Sequence, residues 1–248
     1  MKIALITGAS SGIGSATARK LATDFKLILC GRRQEKLDEL AEELSNQTEV
    51  HILNFDVRDK KAVFEKINFL PENFRKIDLL INNAGNAHGL ASFQEADLED
   101  LEQMIDGNVK GVIYVSKAVL PLMIPIGKGH IVNLSSIAGK QVYANGTTYC
   151  ASKFAVDALS QGMRMDLLPL GIKVTNIAPG MVETEFSMVR FKGDEQRSKQ
   201  AYAGFQALTA EDVAESIYFA VMQPEHVQLA DITILPKAQS NGTTILRK

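Results

Sequence analysis

The sequence predicts a single α/β domain, residues 1–248, in which a doubly wound parallel sheet of about seven strands carries helices on both faces. Short continuous apolar runs alternate with longer amphipathic stretches, as expected for strands buried on both faces and the helices between them. The length of 248 residues suits one domain, and the apolar content of 46% can supply its core. Glycine and proline are scattered at predicted turns, so no linker divides the chain.

The first predicted strand, Lys2 to Thr7, ends at a glycine-rich loop. The loop reads TGASSGIG from Thr7 to Gly14 and opens a predicted helix. Glycine allows a tight turn and a close approach to a pyrophosphate, while the helix N-terminus offers N–H donors to an anion. We therefore predict a Rossmann-type dinucleotide-binding loop. The alternative is a glycine-rich turn that binds no ligand.

The second predicted strand, Lys26 to Cys30, is followed by Gly31, Arg32 and Arg33. In a dinucleotide-binding fold, an acid at this place binds the ribose 2′-hydroxyl, whereas arginine suits a 2′-phosphate. No acid stands here, and a guanidinium fork matches phosphate oxygens. The sequence therefore predicts NADP(H) as the coenzyme, bound by both arginines and by Ser10. The alternative is that the arginines are solvated charges before a helix.

Polar side chains suited to proton transfer follow a later predicted strand, Lys128 to Ser135. This strand brings Ser136 to the carboxyl edge of the sheet, where open α/β folds bind ligands. Tyr149 and Lys153 share a helix face because they are four residues apart. An ammonium group about 4 Å from a phenolate contributes ~4 kcal/mol at an effective dielectric near 20, enough to lower the phenol pKa from ~10 to about 7. Alone, however, this spacing also occurs as an ordinary surface pair.

Four motifs in this order resemble the short-chain dehydrogenase/reductases. They are the glycine loop, Asn82-Asn83-Ala84-Gly85, Ser136, and Tyr149-x-x-x-Lys153, and the resemblance extends from Ile3 to about Leu235. It implies that tyrosine exchanges a proton with the substrate oxygen, which the serine holds. It also implies that lysine lowers the tyrosine pKa and binds the nicotinamide ribose. The catalytic residues implied are Ser136, Tyr149, Lys153 and Asn108.

The role of Asn108 in this resemblance is to support the lysine through water. An asparagine in a long helix can instead bond to backbone locally, and that alternative stays open.

The resemblance also implies a coenzyme site along the sheet edge. Asp56 and Val57 flank the adenine, although Asp56 could instead cap the helix near Asp59. The Pro179-Gly180 turn covers the nicotinamide, and residues soon after it bond the carboxamide. The complete predicted coenzyme set is Gly8, Ser10, Ser11, Gly12, Ile13, Gly14, Arg32, Arg33, Asp56, Val57, Asn83, Ala84, Gly85, Tyr149, Lys153, Pro179, Gly180, Val182 and Thr184.

The segment from about residue 183 to 208 is predicted to select the substrate. Within it, Glu185 to Asp194 reads EFSMVRFKGD, which is similar to the NADP-dependent 3-hydroxy acid dehydrogenase group. That group oxidises L-serine and related 3-hydroxy acids and reduces short semialdehyde acids. The resemblance makes Arg190 the carboxylate anchor beside Ser136 and Tyr149, since guanidinium offers a planar fork. The alternative is a helix-surface pair of Arg190 with Asp194.

We therefore predict an enzyme that uses NADP(H) to interconvert a short 3-hydroxy acid, such as L-serine, and its 3-oxo acid. One alternative is a reductase of 3-oxoacyl thioesters or of general carbonyl compounds. A second alternative is a sensor that binds NADPH without turning it over. Such a sensor would have no need for Ser136, Tyr149 and Lys153 together.

Composition bounds the partners and the location. The formal net charge of −2 argues against a nucleic-acid surface. Two cysteines fit a reducing compartment, and we see neither a signal peptide nor an apolar stretch of the ~20 residues that a membrane helix needs. Four histidines lie dispersed without ligand spacing, so we predict no metal. We expect a cytoplasmic protein with a small-molecule hydroxy acid or carbonyl substrate and no membrane or nucleic-acid partner.

The resemblance further implies a homotetramer. Long predicted helices around Leu98 to Leu120 and Tyr149 to Leu168 carry apolar positions on more than one face, and in the family such helices pack between subunits. The tail from Pro236 to Lys248 either crosses a further interface or is mobile.

Overall fold

Seven parallel strands form one sheet in the computed structural model, which describes residues 1–248. The order across the sheet is β3-β2-β1-β4-β5-β6-β7, which confirms the predicted fold class. The predicted ends of the three strands named above agree with the structure to within one residue. The strands are β1 (Lys2–Thr7), β2 (Phe25–Gly31), β3 (Val50–Asn54), β4 (Leu79–Asn82), β5 (Gly129–Leu134), β6 (Ile172–Pro179) and β7 (Asp231–Ile234).

Helices cover both faces of this sheet. Side chains alternate along β1, so that Ile3 and Leu5 belong to one apolar cluster and Ala4 and Ile6 to the other. Helices α3, α5 and α6 contribute to the first cluster, and α1, α2 and α9 to the second. The helices are α1 (Gly12–Leu21), α2 (Gln34–Leu44), α3 (Lys60–Asn68), α4 (Leu98–Ile105), α5 (Gly111–Met123), α6 (Thr147–Leu167), α7 (Phe186–Arg190), α8 (Glu195–Ala201) and α9 (Ala210–Val221).

The strand order reverses between β1 and β4. From β1 the chain proceeds through β2 to β3, whereas β4 begins the series that runs the other way to β7. Connections after these two central strands therefore diverge and leave a crevice at the carboxyl edge of the sheet, where such folds bind ligands. The loops after β1, β4, β5 and β6 all reach this edge.

One helical segment is more apolar than we expected. Residues Leu98–Ile126 form 29 helical residues with a mean hydropathy of 1.6 over the most apolar window, which is sufficient by length and composition to cross a membrane. The expectation that no apolar stretch has this length is therefore wrong. Its residues Val115, Val119 and Met123 pack in the core against the sheet, and a buried core helix meets the same criterion.

The C-terminal tail packs against the segment that we expect to select the substrate. The Gln239 side chain accepts a hydrogen bond from Met181 N at 2.9 Å. Lys248 N donates to Gly204 O at 2.8 Å. Gln239 is itself buried. In this structure the tail therefore packs on the molecule itself.

Candidate active site

The glycine loop takes a conformation that larger residues resist. Gly8 has φ of 65°, in the left-handed region. A side chain at Gly14 would place its Cβ 2.2 Å from Gly8 O, which no real contact tolerates. The loop therefore folds tightly against the start of α1, as the phosphate-binding prediction requires.

The first turn of α1 is left free to bind an anion. Ser11 precedes the helix with extended backbone, and its side chain makes no capping hydrogen bond. The first N–H groups of a helix lack partners within the helix, so they can donate to a phosphate group. The residues present thus fit a pyrophosphate.

The loop after β4 holds the glycine loop in place. Asn83 Nδ2 donates to Thr7 O at 2.9 Å and to Gly8 O at 3.2 Å. The backbone N–H groups of Asn83 and Ala84 both donate to Thr7 Oγ1 at 3.0 Å. The Asn83 amide therefore holds the backbone of the glycine loop in place.

Both predicted arginines lie at the end of β2, and Arg33 reaches the glycine loop. Arg33 donates to Ser10 O at 3.2 Å and to Ser10 Oγ at 3.4 Å. It also pairs with Glu185 at 2.9 Å, and Arg32 lies 3.7 Å from Asp56. The side chains of Arg32 and Arg33 keep 63% and 46% of their surface exposed. The structure thus gathers the donors that a 2′-phosphate requires and adds an acid, Glu185, that the sequence did not predict there.

Asp56 does not cap α3. Its carboxylate accepts a forked pair of hydrogen bonds from Arg58, the shortest at 2.7 Å. Asp59 is the capping residue, since its side chain accepts from Ala62 N. The alternative role for Asp56 is therefore wrong.

The three residues of the predicted catalytic trio lie where β5 and α6 approach each other. Ser136 follows β5, donates to Pro179 O at 3.3 Å and accepts from Ala138 N at 3.1 Å. Tyr149 and Lys153 lie on the first turns of α6, with 8% and 6% of their surface exposed. Lys153 Nζ donates to a backbone oxygen of β5 at 2.9 Å and lies 5.9 Å from the centre of the Tyr149 ring.

Burial, more than charge, sets the pKa values of Tyr149 and Lys153. It raises the pKa of Tyr149 well above its ordinary value of 10, although the Ser136 hydroxyl and the charge of Arg190 act to lower it. Burial also lowers the pKa of Lys153 to about 8. The expectation that Lys153 makes the phenol acidic is therefore not met here. The phenol instead remains protonated near neutral pH and can serve as an acid.

Asn108 lies in a π-helical turn, Asp106–Lys110, that joins α4 to α5. Its Oδ1 accepts from Asn86 N at 2.7 Å, and its Nδ2 donates to Asn86 O at 2.8 Å and to a serine hydroxyl of α6 at 3.0 Å. A Cβ at Gly85 would lie 2.9 Å from Asn108 Oδ1 and 3.4 Å from Lys153 Nζ. These bonds cross between elements, so the local-bonding alternative is wrong. Single π-turns inside helices are frequent at functional sites.

Arg190 lies at the wall of a pocket next to Tyr149. Its guanidinium carbon is 5.3 Å from the centre of the Tyr149 ring, and its NH2 donates to Tyr143 Oη at 2.9 Å. The pocket has a cavity volume of about 50 Å³, which leaves room for only a small ligand group beside Tyr149. Asp194 does not pair with Arg190, because it caps α8 by accepting from Arg197 N. The surface-pair alternative is therefore wrong.

The remaining predicted coenzyme residues lie on the loops around the crevice. Thr184 packs over the glycine loop, since a Cβ at Gly12 would lie 3.4 Å from its side chain. Val182 forms a bridge with Leu208. Val57 packs against α5, where a Cβ at Gly111 would come 2.8 Å from it.

Known proteins share this arrangement of sequence and fold. The short chain dehydrogenase family pattern matches residues 2–195. The chain belongs to this family.

This short chain dehydrogenase is similar to two relatives of named activity and to one solved structure. Sulfoacetaldehyde reductase 2 of Chromohalobacter salexigens is 47% identical over 96% of this chain and 95% of its own length. The NADP-dependent 3-hydroxy acid dehydrogenase of Schizosaccharomyces pombe is 41% identical over 100% of this chain and 97% of its own. The closed form of serine dehydrogenase complexed with NADP⁺ superposes with a TM-score of 0.94 at 41% identity, covering 99% of each chain.

Sequence analysis did not predict a role for four residues of the candidate active site. Thr7 binds the loop after β4, Glu185 pairs with Arg33, and Tyr143 accepts from Arg190. His88 lines the same pocket as Tyr149 and Arg190, whereas the sequence favours a solvent-facing loop residue at this position. Only the position of His88 three residues after Gly85 carried a signal, because that loop follows a central strand.

Proposed function

We propose that this short chain dehydrogenase is an NADP(H)-dependent oxidoreductase that interconverts a short 3-hydroxy acid, such as L-serine, and its 3-oxo acid. The observation that carries the proposal is a cationic side chain at the wall of a small pocket beside the buried phenol. Arg190 lies 5.3 Å from the Tyr149 ring centre. The likeness to a 3-hydroxy acid dehydrogenase and to a serine dehydrogenase supports it.

The coenzyme would lie along the crevice at the sheet edge. The glycine loop and the first turn of α1 would hold its pyrophosphate, and Arg32, Arg33 and Ser10 its 2′-phosphate. Lys153 would bind the nicotinamide ribose. The reduced nicotinamide supplies the hydride that this chemistry requires.

The side chains of this protein supply the proton transfer and the orientation. Ser136 donates a hydrogen bond to the substrate oxygen, and Arg190 fixes the carboxylate end. Tyr149, kept protonated by burial, gives its proton to that oxygen as the carbonyl becomes an alcohol. In the reverse direction the phenolate accepts the proton of the alcohol.

Replacing Tyr149 with phenylalanine removes the proton donor and keeps the ring. We expect Tyr149→Phe to lower kcat by about 10²-fold or more, in the range of general acid catalysis. The affinity for NADPH should stay within about twofold, because the glycine loop and the arginines remain. Fluorescence titration of NADPH and initial rates measure the two effects. A variant that keeps a substantial part of the wild-type rate contradicts the role of Tyr149.

The carboxylate anchor is tested with Arg190→Met. We expect KM for L-serine or 3-hydroxypropionate to rise by about tenfold or more, since a charged hydrogen bond to a carboxylate contributes roughly 1.5–3 kcal/mol. The KM for an uncharged alcohol should change little. Arg197→Met is the matched control, because Arg197 lies in the same segment and stacks on Phe191 at 4.7 Å. Equal losses with acid and alcohol would defeat the assignment.

A second candidate function is the reduction of sulfoacetaldehyde to isethionate. The likeness to two sulfoacetaldehyde reductases, 47% and 44% identical, favours it. The chemistry at Tyr149 is the same, and Arg190 would bind a sulfonate in place of a carboxylate. Rates of NADPH oxidation with sulfoacetaldehyde and with malonate semialdehyde compare the two candidates directly.

We also propose that the enzyme works in the cytoplasm as a homotetramer. Two buried free cysteines are consistent with a reducing compartment. Exposed apolar side chains on α5 and α6, Ile113 and Phe154, are consistent with contacts between subunits.

A further inference from the structure

The turn that follows β6 is held from outside by a side chain of the C-terminal tail. β6 ends at Pro179, and the next two backbone N–H groups both have partners near the end of the chain. Gly180 N donates to Ile234 O at 2.8 Å, and Met181 N donates to Gln239 Oε1 at 2.9 Å. Only the second of these acceptors is a side-chain atom. A substitution at Gln239 can therefore release this turn.

The Gln239 amide fits closely against the turn. Its residue is only 5% exposed, and a Cβ at Gly180 would lie 2.3 Å from Gln239 Oε1 and 2.8 Å from a methyl group of Leu235. The amide thus occupies the space that a side chain at Gly180 would need. Gln239 Nε2 donates to Asn241 O at 2.9 Å. Because both ends of the buried amide are bonded, its orientation is fixed.

The same turn carries the hydrogen-bond acceptor of Ser136. Ser136 Oγ donates to Pro179 O at 3.3 Å and accepts from Ala138 N at 3.1 Å. Pro179 O lies in the turn that Met181 N ties to the tail. A shift of the turn therefore moves the atom that orients the serine hydroxyl. A misplacement of about 1 Å at a reacting group can lower the rate by about 10²-fold.

We propose that Gln239 is a positioning residue of the active site, which holds the turn after β6 in the place that Ser136 requires. The proposal rests on the proposed function, in which Ser136 donates to the substrate oxygen. Gln239 acts only through the backbone of the turn. Its loss should therefore slow the reaction and leave the binding of the adenosine half of the coenzyme at the glycine loop unchanged.

Replacing Gln239 with methionine keeps the volume of the side chain and removes the acceptor for Met181 N. We expect Gln239→Met to lower kcat for NADPH oxidation by about tenfold or more. The Kd for 2′,5′-ADP, which contains the adenosine half without the nicotinamide, should stay within about twofold. Gln239→Glu keeps the acceptor, and burial favours the protonated carboxyl, which keeps a donor for Asn241 O. It should restore most of the loss.

Gln228→Met is the matched control. Gln228 Oε1 accepts from Val174 N at 2.8 Å, which is the same kind of bond near the start of β6. We expect its loss to change kcat by less than about twofold, because it lies at the opposite end of the strand from Ser136. A wild-type kcat in Gln239→Met, no recovery in Gln239→Glu, or an equal loss in Gln228→Met would overturn the role of Gln239.

The possible outcomes separate this proposal from the proposed function. If the wild type binds NADPH and turns over neither a 3-oxo acid nor sulfoacetaldehyde, the proposed function fails. The fluorescence emission of bound NADPH then decides the role of Gln239, since it should change in Gln239→Met and recover in Gln239→Glu. Unchanged emission would overturn that role. Should Gln239→Met not fold, Gln239→Asn takes its place with the same expected results, because its amide is one methylene too short to reach Met181 N.

Discussion

Lys153 carries a buried charge without an acidic partner. Its only hydrogen bond goes to Leu134 O at 2.9 Å, and burial lowers its pKa from the ordinary 10.5 to about 8. A shift of this size corresponds to roughly 3 kcal/mol that opposes folding when the lysine is charged. Strongly perturbed groups of this kind cluster at functional sites, where the chemistry keeps them. Lys153 is therefore expected to lower stability in exchange for activity.

Replacing Lys153 with methionine should stabilise the protein and abolish activity. Below about pH 8 both the folded and the unfolded lysine are charged, so we expect a gain of up to about 3 kcal/mol, less the lost hydrogen bond. Between pH 8 and 10.5 the unfolded wild type binds more protons than the folded one. Wild-type stability therefore rises with pH, and the gain of Lys153→Met fades.

Urea unfolding at several pH values from 7 to about 10.5 measures this difference in the free energy of unfolding. Lys117→Met, at an exposed lysine of α5, is the control and should show no such trend. A difference that stays constant with pH would show that the charge of Lys153 is not its source.

At the scale of single residues, the sequence predicted that Tyr149 and Lys153 lie on one helix face but misjudged how their surroundings change their pKa values. A spacing of four places Tyr149 and Lys153 on one helix face whatever surrounds them. Their proton affinities depend on burial by distant parts of the chain, which no local pattern records. His88 could be placed near the coenzyme from its loop alone, but its closeness to Arg190, which is remote in sequence, could not be predicted.

At the scale of elements, the substrate segment depends on the tail for its position. Arg247 donates to Ala203 O and, at 3.0 Å, to Ala201 O, and its guanidinium carbon lies 5.1 Å from the Phe205 ring centre. These contacts join the tail to the connection after α8. The sequence marked the segment by its motif, but a polar tail gives no periodic signal of where it packs.

Removing this attachment should loosen the segment and leave the coenzyme site intact. We expect Arg247→Ala to raise amide hydrogen exchange over residues 195–208 and to raise KM for the substrate severalfold, since each lost hydrogen bond contributes about 1 kcal/mol. Arg75→Ala is the control, because Arg75 likewise donates to a backbone oxygen, Asn68 O, at 2.7 Å, but in a part of the chain far from the substrate segment. Unchanged amide hydrogen exchange would mean that the segment does not depend on Arg247 for its position.

At the scale of the whole molecule, the fold was predictable because its signals are local. An apolar strand, a glycine turn and an amphipathic helix repeat along the chain, and the rules for parallel sheets order them. The carboxyl edge then gathers Ser10, Ser136 and Pro179 without further information. Side-chain pairs across that edge were not predictable, as Arg33 with Glu185 shows, because loop shape decides them.

The outer surface of the molecule leads to a prediction about assembly. Phe154 on α6 is 40% exposed and Met165 on the same helix 71%, and exposed apolar groups of this kind mark contact surfaces. We expect light scattering to report a tetramer for the wild type and smaller species for Phe154→Glu. Phe69→Glu, at an equally apolar side chain that is 81% exposed after α3, should leave the mass unchanged. A monomeric wild type would refute the tetramer.

The π-helical turn before α5 limits where the chain can gain or lose a residue. In a regular α-helix each residue advances the rotation by about 100°, and the wider turn at Asp106–Lys110 shifts that count. α5 is fixed by its packing on the sheet. Deleting one residue here would regularise the helix and swing α4 around its axis, turning the buried Met104 away from α6. Insertions and deletions should therefore be far less acceptable at this point than substitutions.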